Sequence, residues 1–180
     1  MEAMERGTSL YMVDSVIPML PHELSNGICS LNEGADRLTK TVEMKIDDNG
    51  NVISSKIYYS VINSKKAMTY EDVNEILEGE NIPLGYEDFT EEILLLNLLS
   101  KCQDKLRDER GTIDFNIPDT SVTKEDDKTV FSEVESKDAE KIIENCMILA
   151  NTTVATHYIN KGLPMISRVH DEPNLDRLLT

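Results

Sequence analysis

This chain of 180 residues has no tryptophan, only three phenylalanines, and far fewer basic than acidic residues. Its 18 Lys and Arg against 34 Asp and Glu give a formal net charge of −16 at pH 7. Such a chain repels phosphate groups at long range, so composition argues against a protein that binds nucleic acid on its own. With 39% hydrophobic and 29% charged residues, the chain is nevertheless expected to fold as a globular domain.

Cysteines and long apolar runs are also scarce. Cys29, Cys102 and Cys146 are odd in number and far apart, which excludes a disulfide framework and a Cys-x-x-Cys zinc site. No apolar run approaches the roughly 20 residues that span a bilayer, and the first six residues are acidic where a signal peptide is basic. We therefore expect a cytoplasmic protein with no membrane partner.

Alternating apolar residues predict a long antiparallel hairpin. Val42, Met44 and Ile46 alternate with polar residues, residues 48–50 suit a tight turn, and residues 52–62 are rich in β-branched residues. The first forty residues are interrupted by Pro and Gly and are predicted to be irregular. Further short strands are predicted over 113–117 and 130–134, around a polar loop at 119–128, and over 165–169.

Helical spacing of apolar residues predicts three helices. The first covers 69–77, the second begins near Asp88 and ends before Gly111, and the third runs from Ser136 to Lys161. The third helix has an apolar stripe formed by Ala139, Ile142, Ile143, Cys146, Met147, Ala150 and Val154. Together these elements predict a mixed α+β fold, with mostly antiparallel strands and several helices.

The sequence shows no recognisable catalytic motif. A Gly-x-Ser-x-Gly elbow, a Walker motif and a Gly-x-Gly-x-x-Gly loop are all absent from it. His22, His157 and His170 follow no known triad order, and the acids show no spacing specific for a metal. Residue spacing alone therefore predicts neither a catalytic site nor a metal site.

Several short motifs nevertheless follow one another along nearly the whole chain. They are Arg6-Gly7-Thr8-Ser9-Leu10-Tyr11, Ile17-Pro18-Met19-Leu20-Pro21, Leu24-Ser25-Asn26-Gly27, Arg110-Gly111-Thr112-Ile113-Asp114-Phe115, Ile143-Glu144-Asn145-Cys146-Met147 and Arg168-Val169-His170. In this order they resemble the RNB catalytic domain of the ribonuclease R and ribonuclease II family. Each motif is weak alone, but so many in one order make a chance resemblance improbable.

The resemblance implies a processive 3′-to-5′ exoribonuclease that releases mononucleotides by magnesium-assisted hydrolysis. In that family, the Asp-rich metal motif lies upstream of the position matching Met1, and the motif with the catalytic Arg lies downstream of the position matching Thr180. We therefore expect residues 1–180 to be the central portion of an RNB domain, with no catalytic residue, metal site or bound cofactor. The isolated chain is expected to be inactive and to self-associate, because part of its core lacks a partner.

The resemblance also assigns three candidate RNA-binding residues. Tyr11 matches the tyrosine that stacks on a base near the RNA 3′ end, and Phe115 matches the aromatic residue that clamps the terminal nucleotides. Stacking suits a nuclease without sequence preference, because every base has a π-face. Stacking of one base on an aromatic side chain contributes roughly 1–3 kcal/mol. Glu144 matches the glutamate that contacts the ribose, and it lies off the apolar stripe. Asn145 departs from the glutamate common in the family, and no role is assigned to it.

Two other interpretations of the sequence remain open. In the first, the chain is a catalytically inactive RNB-like interaction module. In the second, it is a truncated gene product without a function of its own. For the three site residues, the alternatives are core packing for Tyr11 and Phe115 and a solvated helix surface for Glu144. If the chain is part of an exoribonuclease, as the resemblance implies, the intact enzyme binds the 3′ end of single-stranded RNA.

Overall fold

The computed structural model describes residues 2–13, 15–112, 119–125 and 128–169, and it confirms a mixed α+β fold. The six described strands pair in chain order, the first with the second, the third with the fourth and the fifth with the sixth. Each pair forms a separate two-stranded antiparallel sheet. A π-helical segment at Glu23–Ile28 and a 3₁₀ turn at Glu87–Phe89 complete the described part of the chain. The helices are α1 (Glu2–Arg6), α2 (Tyr70–Glu78), α3 (Thr90–Glu109) and α4 (Asp138–Asn160), and the strands are β1 (Leu10–Tyr11), β2 (Val16–Ile17), β3 (Asp36–Ile46), β4 (Val52–Asn63), β5 (Asp119–Glu125) and β6 (Lys128–Val134).

The predicted hairpin is present as β3 and β4 and is longer than the sequence pattern indicated. At its turn, the Asp47 carboxylate accepts hydrogen bonds from the backbone N–H groups of Asn49 at 3.0 Å and Asn51 at 2.8 Å. These hydrogen bonds, above all the one from Asn51, hold the pKa of Asp47 below its ordinary value. Gly50 has a φ of +86°, which favours glycine.

The hairpin turn is anchored on α3. Gln103, buried on α3, donates from Nε2 to the carbonyl oxygen of Gly50 at 2.6 Å. A Cβ on Gly50 would lie 2.9 Å from Gln103 Nε2 and 3.0 Å from Cys102 Cβ. Only a glycine therefore allows the turn to come this close to the helix.

Helices α2, α3 and α4 pack together, and their buried side chains form the core. Ile76, Tyr86 and Ile93 are buried against the half-buried Val73, Leu77 and Phe89. Helix α2 begins as predicted, because the Thr69 hydroxyl accepts a hydrogen bond from the Asp72 N–H at 3.2 Å. Within the described ranges, no helix is long and apolar enough to span a membrane.

The buried face of α4 coincides with the predicted apolar stripe only in part: Ala139 and Ile142 are buried, and Cys146, Ala150 and Val154 are half-buried. Ile143 and Met147 belong to that stripe, yet 46% and 59% of their surfaces are exposed. The residues that α4 does bury are Ala139, Ile142, Asn145, Leu149 and Thr153. Asn145 lies on the buried face because its amide donates to Ser100, a buried polar residue of α3.

Four other sequence predictions concern loops, short strands and the first forty residues. The loop predicted at 119–128 is wrong, because residues 119–125 form β5, whose Val122 and Thr123 pair with Phe131 and Val130 of β6. The strand predicted at 165–169 is also wrong, since these residues lie outside any helix or strand. The first forty residues contain short elements and the start of β3 and are not uniformly irregular. The predicted strand at 113–117 lies outside the described residues.

Candidate functional site

Tyr11 lies on the short strand β1, where it pairs with Val16 of β2. The connection is closed by the Met12 N–H, which donates to the Ser15 carbonyl at 2.8 Å. The Met19 N–H donates to the Ser9 hydroxyl at 3.0 Å and holds the following segment against this hairpin. Tyr11 is 80% exposed, so its ring face is open to solvent and is not part of the core. An exposed ring of this kind can stack on another planar group.

Glu144 lies in the first third of α4 and contacts α3. Its Oε1 atom accepts a hydrogen bond from Arg107 Nη1 on α3 at 3.0 Å. The Glu144 side chain is 52% exposed, whereas the Arg107 side chain is 28% exposed. The carboxylate therefore lies off the core, as expected from its place beside the apolar stripe, and is held by a partly buried cation.

Asn145, to which the sequence assigned no role, is the centre of a buried polar network between α3 and α4. Its Nδ2 donates to Ser100 Oγ at 2.9 Å and to Asp104 Oδ1 at 2.9 Å, while its Oδ1 accepts from Arg107 Nη1 at 3.1 Å. Asn145 and Ser100 are each 2% exposed. The signal that could have found this residue is its spacing, three residues after Ile142 and four before Leu149.

A cleft of about 270 Å³ lies beside this network, between the hairpin turn, the end of α3 and the middle of α4. Its wall is mixed: Gly50 and Gln103 close one side, and Leu149 contributes an apolar surface. Arg107, whose charge is paired with Glu144, and Arg110 also line the cleft.

The structure does not join the three predicted site residues to one another. Among the described residues, no hydrogen bond or ring contact links Tyr11 with Glu144. Phe115 lies outside the described residues, and so does His170. His22 contacts Asn26 through Nδ1 at 3.3 Å, and the ring of His157 lies beside Tyr158.

The described part of the chain also offers no group of three or more His, Cys, Asp or Glu side chains that could hold a metal ion. The acidic residues are numerous, but they are spread over the surface and none of the described clusters meets that requirement. These residues of the described ranges therefore do not fit a magnesium site.

Comparison with known families and proteins gives a match along the whole chain. The model of the RNB domain matches residues 1–180. The chain is 48% identical over 176 residues to ribonuclease R of Thermotoga maritima, covering 96% of this chain and 25% of that protein. It is 37% identical over 180 residues to ribonuclease R of Escherichia coli, covering 98% of this chain and 22% of that protein. The chain thus spans about a quarter of the length of these relatives.

Solved structures agree with this result. The RNase R of Mycoplasma genitalium in complex with ribose methylated single-stranded RNA superposes with a TM-score of 0.88 at 31% identity, over 99% of this chain and 28% of that chain. The same protein in complex with double-stranded RNA gives the same score and identity, over 99% of this chain and 32% of that chain. The yeast pseudonuclease Ssd1 superposes at 0.63 with 18% identity, which shows a shared fold alone.

Proposed function

Because this chain belongs to the RNB domain family, we propose that it is part of a ribonuclease R-like 3′-to-5′ exoribonuclease that hydrolyses RNA to mononucleotides. The match to ribonuclease R along the chain, with a TM-score of 0.88 to an RNase R that carries single-stranded RNA, is the observation that carries this proposal. Residues 1–180 are a partial RNB domain of the ribonuclease R type. In this proposal, they contribute recognition of the RNA 3′ end.

Base stacking is the contribution that we propose for Tyr11 and Phe115. The exposure of Tyr11 supports this role, because a ring buried in the core has no face available to a base. Phe115 lies outside the described residues, and its role as a clamp for the terminal nucleotides rests on its match to the family motif. Stacking does not distinguish RNA from DNA, because both polymers present the same kind of π-face.

Discrimination between RNA and DNA is the contribution that we propose for Glu144. The 2′-hydroxyl is present in RNA and absent from DNA. A carboxylate accepts a charge-assisted hydrogen bond from this hydroxyl. The half-exposed position of Glu144 supports this role, since the carboxylate is open to an incoming ribose. A residue packed into the core between α3 and α4 would not be accessible.

The exoribonucleases of this family are metal-dependent, and we propose magnesium as the metal of the intact enzyme. Among the described residues, no cluster is assigned to this metal. We also propose a cytoplasmic location. The three free cysteines, Cys29, Cys102 and Cys146, support a reducing compartment.

The experiment uses a chimera in which this chain replaces the matching segment of Thermotoga maritima ribonuclease R. Affinities for matched single-stranded RNA and DNA with free 3′ ends are measured in metal-free buffer by fluorescence anisotropy. Glu144→Ala is expected to lower RNA affinity by roughly ten- to a hundredfold, the size of one hydrogen bond to a charged group, and to narrow the RNA-to-DNA ratio. Tyr11→Ala is expected to lower the affinities for RNA and DNA by the same factor. Tyr11→Phe, which keeps the ring, is expected to change neither affinity.

Each result has a distinct reading. An unchanged RNA-to-DNA ratio in Glu144→Ala would show that this carboxylate is only a helix surface residue. Equal RNA affinity in Tyr11→Ala and the parent chimera would exclude stacking by that ring. A folded chimera that binds neither polymer would favour the inactive interaction module over the exoribonuclease.

A further inference from the structure

We propose that Arg107 is a positioning residue for Glu144, holding the carboxylate of α4 in the orientation in which it meets the ribose. This inference rests on the proposed ribose contact of Glu144. Arg107 itself is not proposed to touch the RNA. It acts through the hydrogen bond from its Nη1 to Glu144 Oε1 at 3.0 Å.

The contact differs from an ordinary surface ion pair. Most exposed pairs contribute little, because two long side chains must be ordered to form them. Here the same Arg107 Nη1 atom also donates to Asn145 Oδ1 at 3.1 Å. One nitrogen therefore joins a half-exposed carboxylate to the almost fully buried amide of the next residue.

The buried amide is itself fixed to α3. Asn145 Nδ2 donates to Ser100 Oγ and Asp104 Oδ1, each at 2.9 Å. Ser100, Asp104 and Arg107 follow one another at spacings of four and three residues, so they lie along one face of α3. The orientation of Arg107 is thus set by two packed helices, as is required of a residue that must place another side chain accurately.

This arrangement leaves one carboxylate oxygen of Glu144 available. Oε1 is occupied by Arg107, and within the described ranges Oε2 has no hydrogen-bond partner. A glutamate without this support would have to lose its rotamer freedom when RNA binds. Loss of Arg107 should therefore reduce the RNA-to-DNA affinity ratio by about two- to tenfold, the cost of ordering one flexible side chain on binding.

The test compares three Arg107 variants of the chimera with the parent in the metal-free binding assay. Arg107→Met, which removes the guanidinium and keeps an unbranched apolar side chain, is expected to lower the RNA-to-DNA affinity ratio by about two- to tenfold. Arg107→Lys is expected to keep most of the RNA-to-DNA affinity ratio, because a single nitrogen makes both contacts in the structure and Lys also carries one charged nitrogen. If Arg107→Met does not fold, Arg107→Gln, which retains a neutral donor for Asn145, is expected to give the same loss and is read in its place.

A matched control separates positioning from stability. Lys137 forms an ion pair of the same length, 3.0 Å, with Glu78 between the start of α4 and the end of α2. Lys137→Met therefore removes an ion pair between helices without touching Glu144, and the RNA-to-DNA affinity ratio should not change. Thermal melts of all variants are recorded alongside, since a purely structural role of Arg107 would lower the melting temperature and leave the ratio unchanged.

The outcomes distinguish this inference from the proposed function. In one outcome, Glu144→Ala narrows the RNA-to-DNA affinity ratio, whereas folded Arg107→Met, or Arg107→Gln in its place, leaves it unchanged. Arg107 is then not a positioning residue, and the ribose contact of Glu144 is retained. If Glu144→Ala leaves the ratio unchanged, the ribose contact is wrong and the inference fails with it. In the double variant, Arg107→Met should add nothing to the loss caused by Glu144→Ala. A further loss of the ratio would show that Arg107 acts independently and would overturn the inference.

Discussion

Asn145 on α4 donates a hydrogen bond from Nδ2 to Ser100 Oγ on α3 at 2.9 Å, and both residues are almost completely buried. The amide also binds Asp104 and Arg107, so its donor and acceptor atoms are both satisfied inside the protein. Among the described residues, every buried side-chain nitrogen or oxygen has a hydrogen-bond partner. The packing of α3 on α4 therefore depends on a polar residue at its centre.

Asn145→Ala should destabilise the fold by about 1–3 kcal/mol, because the buried groups around it lose their partner without contact to water. Urea unfolding of the chimera, followed by circular dichroism, measures the change in the free energy of unfolding. Asn151→Ala is the matched control, since Asn151 is exposed on the same helix. Equal stability of Asn145→Ala and Asn151→Ala would contradict the role of the buried network.

Gly50→Ala should be more destabilising than Gly79→Ala. Both glycines have positive φ, so each alanine incurs a backbone cost of roughly 1–2 kcal/mol. The new Cβ at position 50 would also press on Gln103 and Cys102, which adds roughly 1–3 kcal/mol, whereas nothing lies within 4 Å of a Cβ at position 79. Chemical denaturation of both variants checks this order. A larger loss in Gly79→Ala would show that the turn is not closely packed on α3.

Tyr86→Phe should destabilise the protein more at neutral than at acidic pH. The Tyr86 hydroxyl donates to Asp72 Oδ2 at 2.7 Å, and this hydrogen bond holds the pKa of Asp72 below its ordinary value of 3.8. The stabilisation from the charged carboxylate is thus present above pH 3.8 and is lost as the pH falls through the lower pKa of the folded state.

Melting temperatures of Tyr86→Phe and the parent chimera, recorded between neutral pH and the acid limit of folding, test this pH dependence. The difference between them should narrow at the acid end. It should not vanish, because the hydroxyl also accepts a hydrogen bond from the Thr69 N–H at 3.1 Å. Tyr59→Phe, at an exposed tyrosine, should show no difference at any pH. A constant difference for Tyr86→Phe would mean that Asp72 does not contribute.

The elements that the sequence predicted well are those with strong local signals. The hairpin follows from alternation and a turn around Gly50, and α2 follows from the Thr69 cap and apolar spacing. The loop prediction over 119–128 is wrong, because the polar and charged residues of this segment favour a loop whereas residues 119–125 form a strand. Its β-branched Val122 and Thr123 instead pair with β6.

The candidate site was only partly predictable. Family motifs point to Tyr11 and Glu144, and the structure adds their exposure and the partner of the carboxylate. The sequence does not reveal the role of Asn145, because the apolar stripe predicts a buried face that excludes this residue. Which face of a helix is buried depends on its neighbour, and the polar surface of α3 is not visible in the sequence of α4 alone.

The isolated chain of 180 residues should self-associate. Leu94, Leu95 and Leu98 are exposed on one face of α3, and Ile143 and Met147 are exposed on α4. Contiguous apolar surface of this kind drives association when no partner covers it. Sedimentation equilibrium should show an average mass that rises with concentration, and Leu98→Glu should lower it. Leu84→Glu, at an exposed leucine in a loop, is the control. A monomer with a sharp melt at every concentration would contradict this prediction.

Release of mononucleotides from single-stranded RNA by the chimera, in the presence of magnesium, is the most direct test of the central claim. The parent Thermotoga maritima ribonuclease R serves as the positive control, and a chelated sample as the blank. The account predicts that the chimera shortens RNA from its 3′ end to mononucleotides, while the isolated chain releases none above the blank. A folded chimera that binds RNA but releases no mononucleotides would contradict the assignment of this chain to an exoribonuclease.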